Sequence, residues 1–283
     1  MLVEGRNLLK RIVSGFVLTL LLIGALTFAF NGANGITDHS TARTMCEDFK
    51  SGDFALHSDV DWWPMFHHDL SRAGFSTSTA PNTNNTVWNV TTDNSVYSSP
   101  AVANGMVYAT SFDGNVYCVD ALTGNEAWSE PSWIGTYSYS SPAVADGKVY
   151  AGTLSGNVYC LNASTGDIIW NYLTGKSVFS CPAVADGKVY VGSNDKNVYC
   201  LSASTGAKIW NYTTDNVVWS SPAVVDGKVY VGSSDNRVYC LDALTGEPIW
   251  NYLTVGSVHS SPAVADGKVY VGSDDHNVYC LNA

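Results

Sequence analysis

A segment of about 40 residues recurs five times along this chain and constrains the fold more than any other feature. A Ser-Pro or Cys-Pro pair marks each copy, with the prolines at Pro100, Pro142, Pro182, Pro222 and Pro262. The steps between these prolines are 42, 40, 40 and 40 residues. A period of this length indicates a chain built from repeated supersecondary units that pack on their neighbours.

Each copy contains four short segments typical of antiparallel strands. The first segment ends at a pair such as Asp226-Gly227, which favours a two-residue hairpin. The second and third segments, of the type Lys-Val-Tyr-Val-Gly and Val-Tyr-Cys-Leu, are rich in β-branched and aromatic residues. A Thr-Gly turn leads to a fourth segment, which carries Trp128, Trp170, Trp210 or Trp250. Four antiparallel strands per repeat predict the blade of an all-β propeller.

The two ends of the repeat region predict how the ring closes. Val87–Pro100 resembles Ile209–Pro222, so Trp88 marks a fourth-strand sequence with no blade before it. The last copy ends on a third-strand sequence at Ala283. We therefore expect residues 86–283 to form about five blades of four strands, in a ring closed by pairing of the N-terminal strand with the last blade.

The region before the repeats divides into three segments. Residues 1–30 contain three basic residues followed by a mostly apolar run at 12–30, which is either a cleaved signal peptide or a retained membrane anchor. Both interpretations place the propeller outside the cytoplasm. Residues 31–60 are expected to be an irregular linker. Residues 61–85 are a lead-in segment rich in Trp and Phe, which we expect to pack on the propeller. Its adjacent His67, His68 and Asp69 are interpreted as loop residues rather than a metal site.

The net charge argues against a nucleic-acid-binding protein, and the placement of the cysteines argues against a disulfide framework. The net charge is −11 and no basic run is present, so a nucleic-acid partner is not expected. Five of the seven cysteines occupy the same repeat position, at Cys118, Cys160, Cys200, Cys240 and Cys280. Neighbouring blades lie too far apart for disulfides between equivalent positions. These cysteines are therefore interpreted as small buried residues on the third strand.

The turn before each fourth strand resembles that of the PQQ-type (quinoprotein) β-propeller repeats. The resemblance rests on a polar residue, a Thr-Gly pair and a tryptophan at fixed spacing, and it covers about 70% of the chain. It implies that each tryptophan stacks on a glycine of a neighbouring blade and locks the blades together. The residues concerned are Trp88, Trp128, Trp170, Trp210 and Trp250, with Gly124, Gly166, Gly206 and Gly246. Family propellers usually have seven or eight blades, so five leaves open a fragment or a ring completed by two chains.

The resemblance implies two function classes. Quinoprotein dehydrogenases carry a catalytic Asp, a calcium site, an Arg near the quinone and often a vicinal Cys-Cys pair, on loops that interrupt the repeats. Here the repeats are nearly uninterrupted and no two cysteines are adjacent. We therefore expect no catalytic residue, no metal and no cofactor, with PQQ and calcium belonging only to the alternative of a dehydrogenase or its degenerate relative. The non-catalytic, exported members with BamB-like repeats are the closer functional analogy.

One variable but mainly aromatic position precedes the proline of each repeat. We name the five residues the aromatic collar; they are Tyr97, Tyr139, Phe179, Trp219 and His259. In a closed ring they would converge at one mouth of the central channel, near Asp93, Lys176 and Asp215. The collar either plugs the channel or binds a partner. The sequence thus predicts a binding or scaffolding module for a protein or carbohydrate at the cell surface, either extracellular or anchored through residues 12–30.

Overall fold

A computed structural model describes residues 64–72, 74, 82–128, 132–135 and 137–283. This part of the chain contains 19 β-strands and no helix. The predicted signal or anchor at residues 1–30, the linker at 31–60 and the first part of the lead-in segment lie outside the described residues. Within the described residues, no helix is long and apolar enough to cross a membrane.

The strands form five antiparallel sheets in chain order, and each sheet is one propeller blade. Blade 1 contains β1 (Ala101–Ala103), β2 (Met106–Thr110), β3 (Asn115–Asp120) and β4 (Ser132–Trp133). Blade 2 contains β5 (Ala143–Ala145), β6 (Lys148–Gly152), β7 (Asn157–Asn162) and β8 (Ile168–Leu173). Blade 3 contains β9 (Ala183–Ala185), β10 (Lys188–Gly192), β11 (Asn197–Ser202) and β12 (Lys208–Thr213). Blade 4 contains β13 (Ala223–Val225), β14 (Lys228–Ser233), β15 (Arg237–Asp242) and β16 (Pro248–Leu253), and blade 5 contains β17 (Ala263–Ala265), β18 (Lys268–Gly272) and β19 (Val278–Asn282).

The hairpins between the first and second strands form as the sequence predicts. Asp146, Asp186, Asp226 and Asp266 have φ between 49° and 50°, and the glycine after each has φ between 68° and 71°. Positive φ at both central residues is the geometry of a type I′ turn, which suits the twist of the flanking strands. The prediction of all-β blades with two-residue hairpins is confirmed.

The core lies between neighbouring blades rather than within one sheet. Apolar side chains on the second and third strands are buried against the neighbouring blades. Val158 and Leu161 of blade 2 are both 0% exposed, Val158 in the cluster shared with blade 3 and Leu161 in the cluster shared with blade 1. The cysteines of blades 1 to 4 are buried free thiols, and burial raises the pKa of Cys200 to about 12. Thiols with such pKa values stay protonated and unreactive near neutral pH.

Tryptophans join blades 1, 2 and 3 to the blade that follows each of them. The Trp170 indole N–H donates to the Ala203 carbonyl oxygen at 3.1 Å, and the Tyr150 hydroxyl donates to the same oxygen at 3.3 Å. Trp128 and Trp210 repeat this bond on the next blade at 3.1 and 3.2 Å. Each ring lies against a glycine with positive φ. A Cβ on Gly206 would fall 2.6 Å from the Trp170 ring. A side chain at Gly206 would therefore clash with Trp170.

Blade 1 departs from the predicted strand positions. Trp128 was expected within a fourth strand, but β4 begins only at Ser132. Glu126 instead forms an isolated bridge with Val119, and the Trp128 ring still lies against Gly166 of the next blade. The 42-residue step between Pro100 and Pro142 explains the difference, because two extra residues displace the pairing while the tryptophan keeps its place.

The predicted closure of the ring is wrong. Residues 82–100 contain no strand, and β19 has β18 as its one neighbour in the sheets of the described chain. Blade 5 therefore has three strands, and Trp88 instead contacts blade 1. Its indole N–H donates to the Ala121 carbonyl oxygen at 3.0 Å.

Candidate functional site

A belt of hydrogen bonds ties the five inner strands together at the residue before each proline. The Ser99 N–H donates to Ser141 Oγ at 2.8 Å, and the Ser141 N–H donates to Cys181 Sγ at 3.2 Å. The Cys181 N–H then donates to Ser221 Oγ at 2.9 Å, and the Ser221 N–H to Ser261 Oγ at 3.0 Å. Because each bond joins equivalent positions of adjacent blades, the residues just before the belt are also brought side by side.

The aromatic collar forms a continuous row of rings above this belt. Ring centroids lie 5.1 Å apart for Tyr97 and Tyr139, and 5.3 Å apart for Tyr139 and Phe179. The row continues to Trp219 at 5.8 Å and to His259 at a further 4.6 Å. The expected convergence at a channel mouth assumed a closed ring; the described rings form a row in which each contact joins neighbouring blades.

The collar is partly open to solvent. Tyr97 is 59% exposed, Trp219 is 42% exposed and Tyr139 is 37% exposed, while Phe179 and His259 are partly buried. Phe112 and Tyr137 extend the row in blade 1, with their rings stacked at 4.5 Å. Sequence reasoning missed these two because they occupy turn positions that are not aromatic in the other repeats. Partly exposed aromatic rings are common in binding surfaces.

Polar side chains contact the last two collar rings, Asn194 and Ser234 from the preceding blade and Asp274 from the same blade. The Trp219 indole N–H donates to Asn194 Oδ1 at 2.7 Å. His259 Nε2 lies 2.8 Å from Ser234 Oγ, and His259 Nδ1 lies 3.3 Å from Asp274 Oδ2. These contacts fix the orientation of the last two rings.

One cluster resembles a catalytic triad in the sequence of its contacts, with Ser234 as nucleophile, His259 as base and Asp274 as orienting carboxylate. The sequence did not reveal it, because its members come from two turns and one loop of adjacent blades. The backbone N–H of Ser234 donates to the Val217 carbonyl oxygen, and that of Asp235 donates to Ser233 Oγ. Neither N–H can stabilise an oxyanion, so acyl transfer does not follow from this geometry.

The predicted polar residues near the collar lie on the connections between blades. Asp93, Lys176 and Asp215 are all exposed. They lie three or four residues before Tyr97, Phe179 and Trp219 along the chain. The backbone N–H groups of Asp93 and Asp215 donate to the turn carboxylates of Asp113 and Asp235 at 3.1 and 2.9 Å.

The floor beneath the collar is formed by residues 64–72 of the lead-in segment. Backbone carbonyl oxygens of Pro64, Leu70 and Ser71 accept hydrogen bonds from the N–H groups of Val144, Val224 and Val264. Inner strands of blades 2, 4 and 5 are thereby bonded to one short segment. Each of these contacts lies five residues after a collar residue along the chain.

Arg72 is the charged centre of this floor and is 1% exposed. Its guanidinium donates to the carbonyl oxygens of Pro222 at 3.0 Å, Cys181 at 3.3 Å, Pro182 at 3.2 Å and Phe66. Burial lowers the pKa of Arg72 to about 10, while Cys181 and Asp69 act in the opposite direction. The side chain is therefore still charged at neutral pH. Sequence reasoning missed it because its partners are distant in the chain.

The repeats of this chain match the model of a known protein family. The family model described as outer membrane protein assembly factor BamB matches residues 70–176, 113–218 and 217–283. The chain belongs to this family of PQQ-like repeat proteins. No curated protein sequence matches it significantly.

Solved structures share the propeller fold at low sequence identity. BamB from Moraxella catarrhalis is 24% identical with a TM-score of 0.59, and the match covers 65% of this chain and 57% of that one. A quinohemoprotein alcohol dehydrogenase, ADHIIG from Pseudomonas putida HK5, is 18% identical with a TM-score of 0.66, covering 78% of this chain and 46% of that one. The computationally designed Ika8 protein is 19% identical with a TM-score of 0.60, covering 65% and 57%. The chain thus spans about half the length of the structures it matches.

The described residues do not fit a calcium-bound PQQ. Within this part of the chain, no three His, Cys, Asp or Glu side chains are placed to hold a metal ion. The turn carboxylates are already engaged: Asp195 accepts bonds from the Gly175 N–H at 2.6 Å, the Asn197 N–H at 3.0 Å and the Tyr199 hydroxyl at 2.7 Å. These oxygens stabilise the blade and are not free ligands. The described residues therefore agree better with BamB-like repeats than with the calcium and PQQ site of a quinoprotein dehydrogenase.

Acid should weaken the blade contact that Asp195 makes. Burial raises the pKa of Asp195, but the hydrogen bonds from Tyr199, Asn197 and Gly175 outweigh it and lower the pKa below its ordinary 3.8. The carboxylate therefore contributes stability above pH 3.8, and this contribution is lost as the pH falls through the lowered pKa. We expect Asp195→Asn to cost about 1–3 kcal/mol at pH 7, with the difference shrinking below about pH 4. Urea denaturation at a series of pH values measures this.

Blade 2 supplies the matched control, because Ser155 stands at the position of Asp195. Ser155→Ala should change the stability by the same amount at every pH. A difference between wild type and Asp195→Asn that stays constant from pH 7 to pH 3 would contradict the role of the ionised carboxylate.

Proposed function

We propose that this chain is an exported or membrane-tethered scaffold that binds a protein partner through the aromatic collar. The observation that carries the proposal is the continuous row of partly exposed rings, one from each of five consecutive blades. Such rings bury large areas with little loss of side-chain freedom, which is why aromatic residues dominate binding hot spots.

Several features support a protein partner and an exported location. The family model is described as an outer membrane protein assembly factor, which is a role in assembling other proteins. The apolar run at residues 12–30 after a basic segment is typical of a signal or an anchor. A binding role also agrees with blades that carry no catalytic insertions.

Charge around the collar favours a partner segment with both apolar and basic side chains. Asp93 and Asp215 are exposed four residues before a collar residue along the chain, and the exposed Asp274 contacts His259. These three carboxylates outnumber the one exposed cation at an equivalent position, Lys176. The chain as a whole carries a net charge of −11. Arginine side chains can contact the carboxylates and also lie over aromatic faces. An extended peptide that alternates arginine and leucine therefore has the chemistry to occupy the collar.

Peptide titration tests the proposal. Isothermal calorimetry would compare two synthetic peptides of equal length, one alternating arginine with leucine and the other glutamate with leucine. We expect the arginine peptide to bind more tightly, and the double variant Trp219→Ala, Tyr139→Ala to weaken that binding by about tenfold or more, as for removal of hot-spot aromatics.

The matched control is Trp133→Ala, because Trp133 is 66% exposed and makes no ring contact with the collar. This variant should bind the arginine peptide like the wild type. Equal binding by the double variant, with its circular dichroism and melting temperature unchanged, would refute the collar as the binding surface. Binding of a β-linked glucose oligomer instead of either peptide would identify a carbohydrate partner and contradict the protein assignment.

A further inference from the structure

Four aromatic rings contact one another where blade 1 meets blade 2. Phe112 is central, with its ring centroid 5.1 Å from that of Tyr97, 4.7 Å from that of Tyr139 and 4.5 Å from that of Tyr137. We name these four residues the ring cluster; Tyr97 and Tyr139 are also members of the collar. Farther along the collar, the described rings contact only their neighbours in the row. The ring cluster is therefore the widest aromatic surface of the collar.

The turn after each second strand supplies a side chain beside the collar, and its chemistry changes along the chain. In blade 1 this residue is Phe112, whose ring contacts Tyr139. In blade 3 it is Asn194, whose Oδ1 accepts the Trp219 indole N–H. The equivalent residues of blades 1 to 4 are Phe112, Leu154, Asn194 and Ser234. The collar is thus bordered by apolar side chains at blades 1 and 2 and by polar ones at blades 3 and 4.

Tyr137 holds its ring in the cluster with a strained backbone. Its carbonyl oxygen accepts the Leu154 N–H at 3.0 Å, which is the bond that Ser177 makes with Asn194 one blade later at 2.9 Å. Tyr137 therefore keeps the regular position of the repeat. Its φ is nevertheless 30°, in the left-handed region that Ser177 does not share, and its side chain is 47% exposed. Such strain at an exposed residue adds little to the core and is common at binding sites.

Negative charge near the ring cluster is not balanced by a nearby cation in the sequence. The loops around it, 92–97, 111–114, 132–139 and 153–156, contain Asp93 and Asp113 and no Lys, Arg or His. The Asp93 N–H donates to Asp113 Oδ2 at 3.1 Å, which brings the exposed Asp93 beside the turn that carries Phe112. In contrast, the equivalent loops of blade 3 carry Lys176 and Lys196. A cationic group is therefore favoured at blade 1 more than at blade 3.

We propose that the ring cluster binds an arginine side chain of the partner. The rings of Tyr97 and Tyr139 are inclined at 67° and 71° to that of Phe112, whereas the Tyr137 ring lies at 27° to it. Aromatic faces thus point in more than one direction. A guanidinium is planar, lies over such faces and donates hydrogen bonds to a carboxylate such as that of Asp93. Within the described residues, no cation of the chain itself lies over these four rings.

This inference rests on the proposed binding of a partner through the collar and assigns one of its side chains to a place. Arginine at blade 1 leaves the apolar side chains of the partner to contact Phe179 and Trp219. Lys176 and Lys196 repel a second arginine from that part of the collar. The partner segment is therefore bound in one orientation along the row.

Citrulline tests the role of the guanidinium, because it has nearly the shape of arginine without the charge. Isothermal calorimetry would compare the peptide that alternates arginine with leucine and the same peptide with citrulline in place of each arginine. The ratio of the two affinities measures the preference for arginine. We expect the wild type to prefer the arginine peptide by about fivefold or more, as for a cation–π contact beside a carboxylate.

Two variants remove the proposed contacts. The double variant Phe112→Leu, Tyr137→Ser introduces the residues that blade 2 and blade 3 carry at these positions, Leu154 and Ser177. We expect it to lower the preference for arginine by about threefold or more, with a smaller effect on the citrulline peptide. Asp93→Asn should lower the same preference, and as a surface change it tests the proposal even if the double variant does not fold.

The matched controls are Tyr252→Ser and Asp146→Asn. Tyr252 is 41% exposed on the outer strand of blade 4, and Asp146 is exposed on the hairpin between β5 and β6. Both variants should keep the wild-type preference for arginine. Circular dichroism and melting temperature would verify that each variant is folded.

The outcomes separate this inference from the proposed function. An unchanged preference in the folded double variant, while Trp219→Ala weakens both peptides, would overturn the arginine subsite and leave the collar as the binding surface. Equal losses of preference in Asp93→Asn and Asp146→Asn would show that net charge alone attracts arginine, which would also overturn the subsite. Binding of neither peptide by the wild type would refute the proposed function and the subsite with it.

Discussion

Replacing Trp170 with alanine is expected to lower the free energy of unfolding by about 3–5 kcal/mol, the range for removing a buried tryptophan. The side chain is 8% exposed and packs in the core shared by blades 2 and 3. Its loss also removes a hydrogen bond to the Ala203 carbonyl oxygen. Urea denaturation followed by circular dichroism measures the change, and an unchanged m-value would show that the same surface unfolds.

Trp250→Ala is the matched control, because Trp250 has the same repeat position but is only partly buried. No glycine equivalent to Gly206 lies against it in the described chain. We expect a loss of about 1–2 kcal/mol from apolar burial alone. Equal losses for the two variants would contradict the role of the contact between blades.

The contact between Trp170 and Gly206 can also be tested by changing the glycine. Gly206→Ala places a Cβ 2.6 Å from the Trp170 ring at a residue with φ of +71°. We expect a loss of about 3 kcal/mol from left-handed strain and overpacking combined. Gly187→Ala has nearly the same φ, +69°, with no atom within 4 Å of the new Cβ. It should cost about 1 kcal/mol from strain alone, so the difference between the variants measures the clash.

Arg72→Met is expected to lower the free energy of unfolding by about 3–5 kcal/mol, because it leaves several buried carbonyl oxygens without their donor. The guanidinium donates to Pro222 of blade 4 and to Cys181 and Pro182 of blade 3. The substitution would therefore remove the hydrogen bonds from this side chain to both blades. Arg72→Lys should recover only part of this loss, since an ammonium cannot reproduce the planar set of donors. Thermal and urea denaturation measure both variants.

The control for Arg72 is Lys176→Met, which removes one exposed cation and changes the net charge equally. We expect it to alter stability by less than about 0.5 kcal/mol, as for a surface substitution. A similar effect of the two changes would show that net charge, and not the hydrogen bonds beneath the collar, governs stability.

Hairpins and blades could be predicted from the sequence because their signals are local. Asp186-Gly187 specifies a type I′ turn, and alternating apolar residues such as Val189 and Val191 specify which face of the strand is buried. The positions of the collar rings were also predictable, because each lies three residues before the proline of its repeat.

Contacts between distant segments could not be predicted in the same way. Arg72 donates a hydrogen bond to Pro222, 150 residues away in the chain, and no pattern in the sequence around Arg72 indicates this contact. The hydrogen bonds that the turn aspartates accept from the preceding loop were also missed. A signal existed: an N–H donor lies 20 residues before each of Asp113, Asp195, Asp235 and Asp275, the same offset in four repeats.

The sequence by itself determined the blade, its turns, its buried face and the family to which the repeats belong. Only the tertiary structure decided that the arc stays open, that residues 64–72 form a floor beneath the collar and that Trp88 contacts blade 1. The physical reason is that strand and turn geometry depend on neighbouring residues, whereas closure depends on an angle accumulated over four blade contacts. The contacts between blades, such as that of Val218 with Gly192, join segments that are separated along the chain.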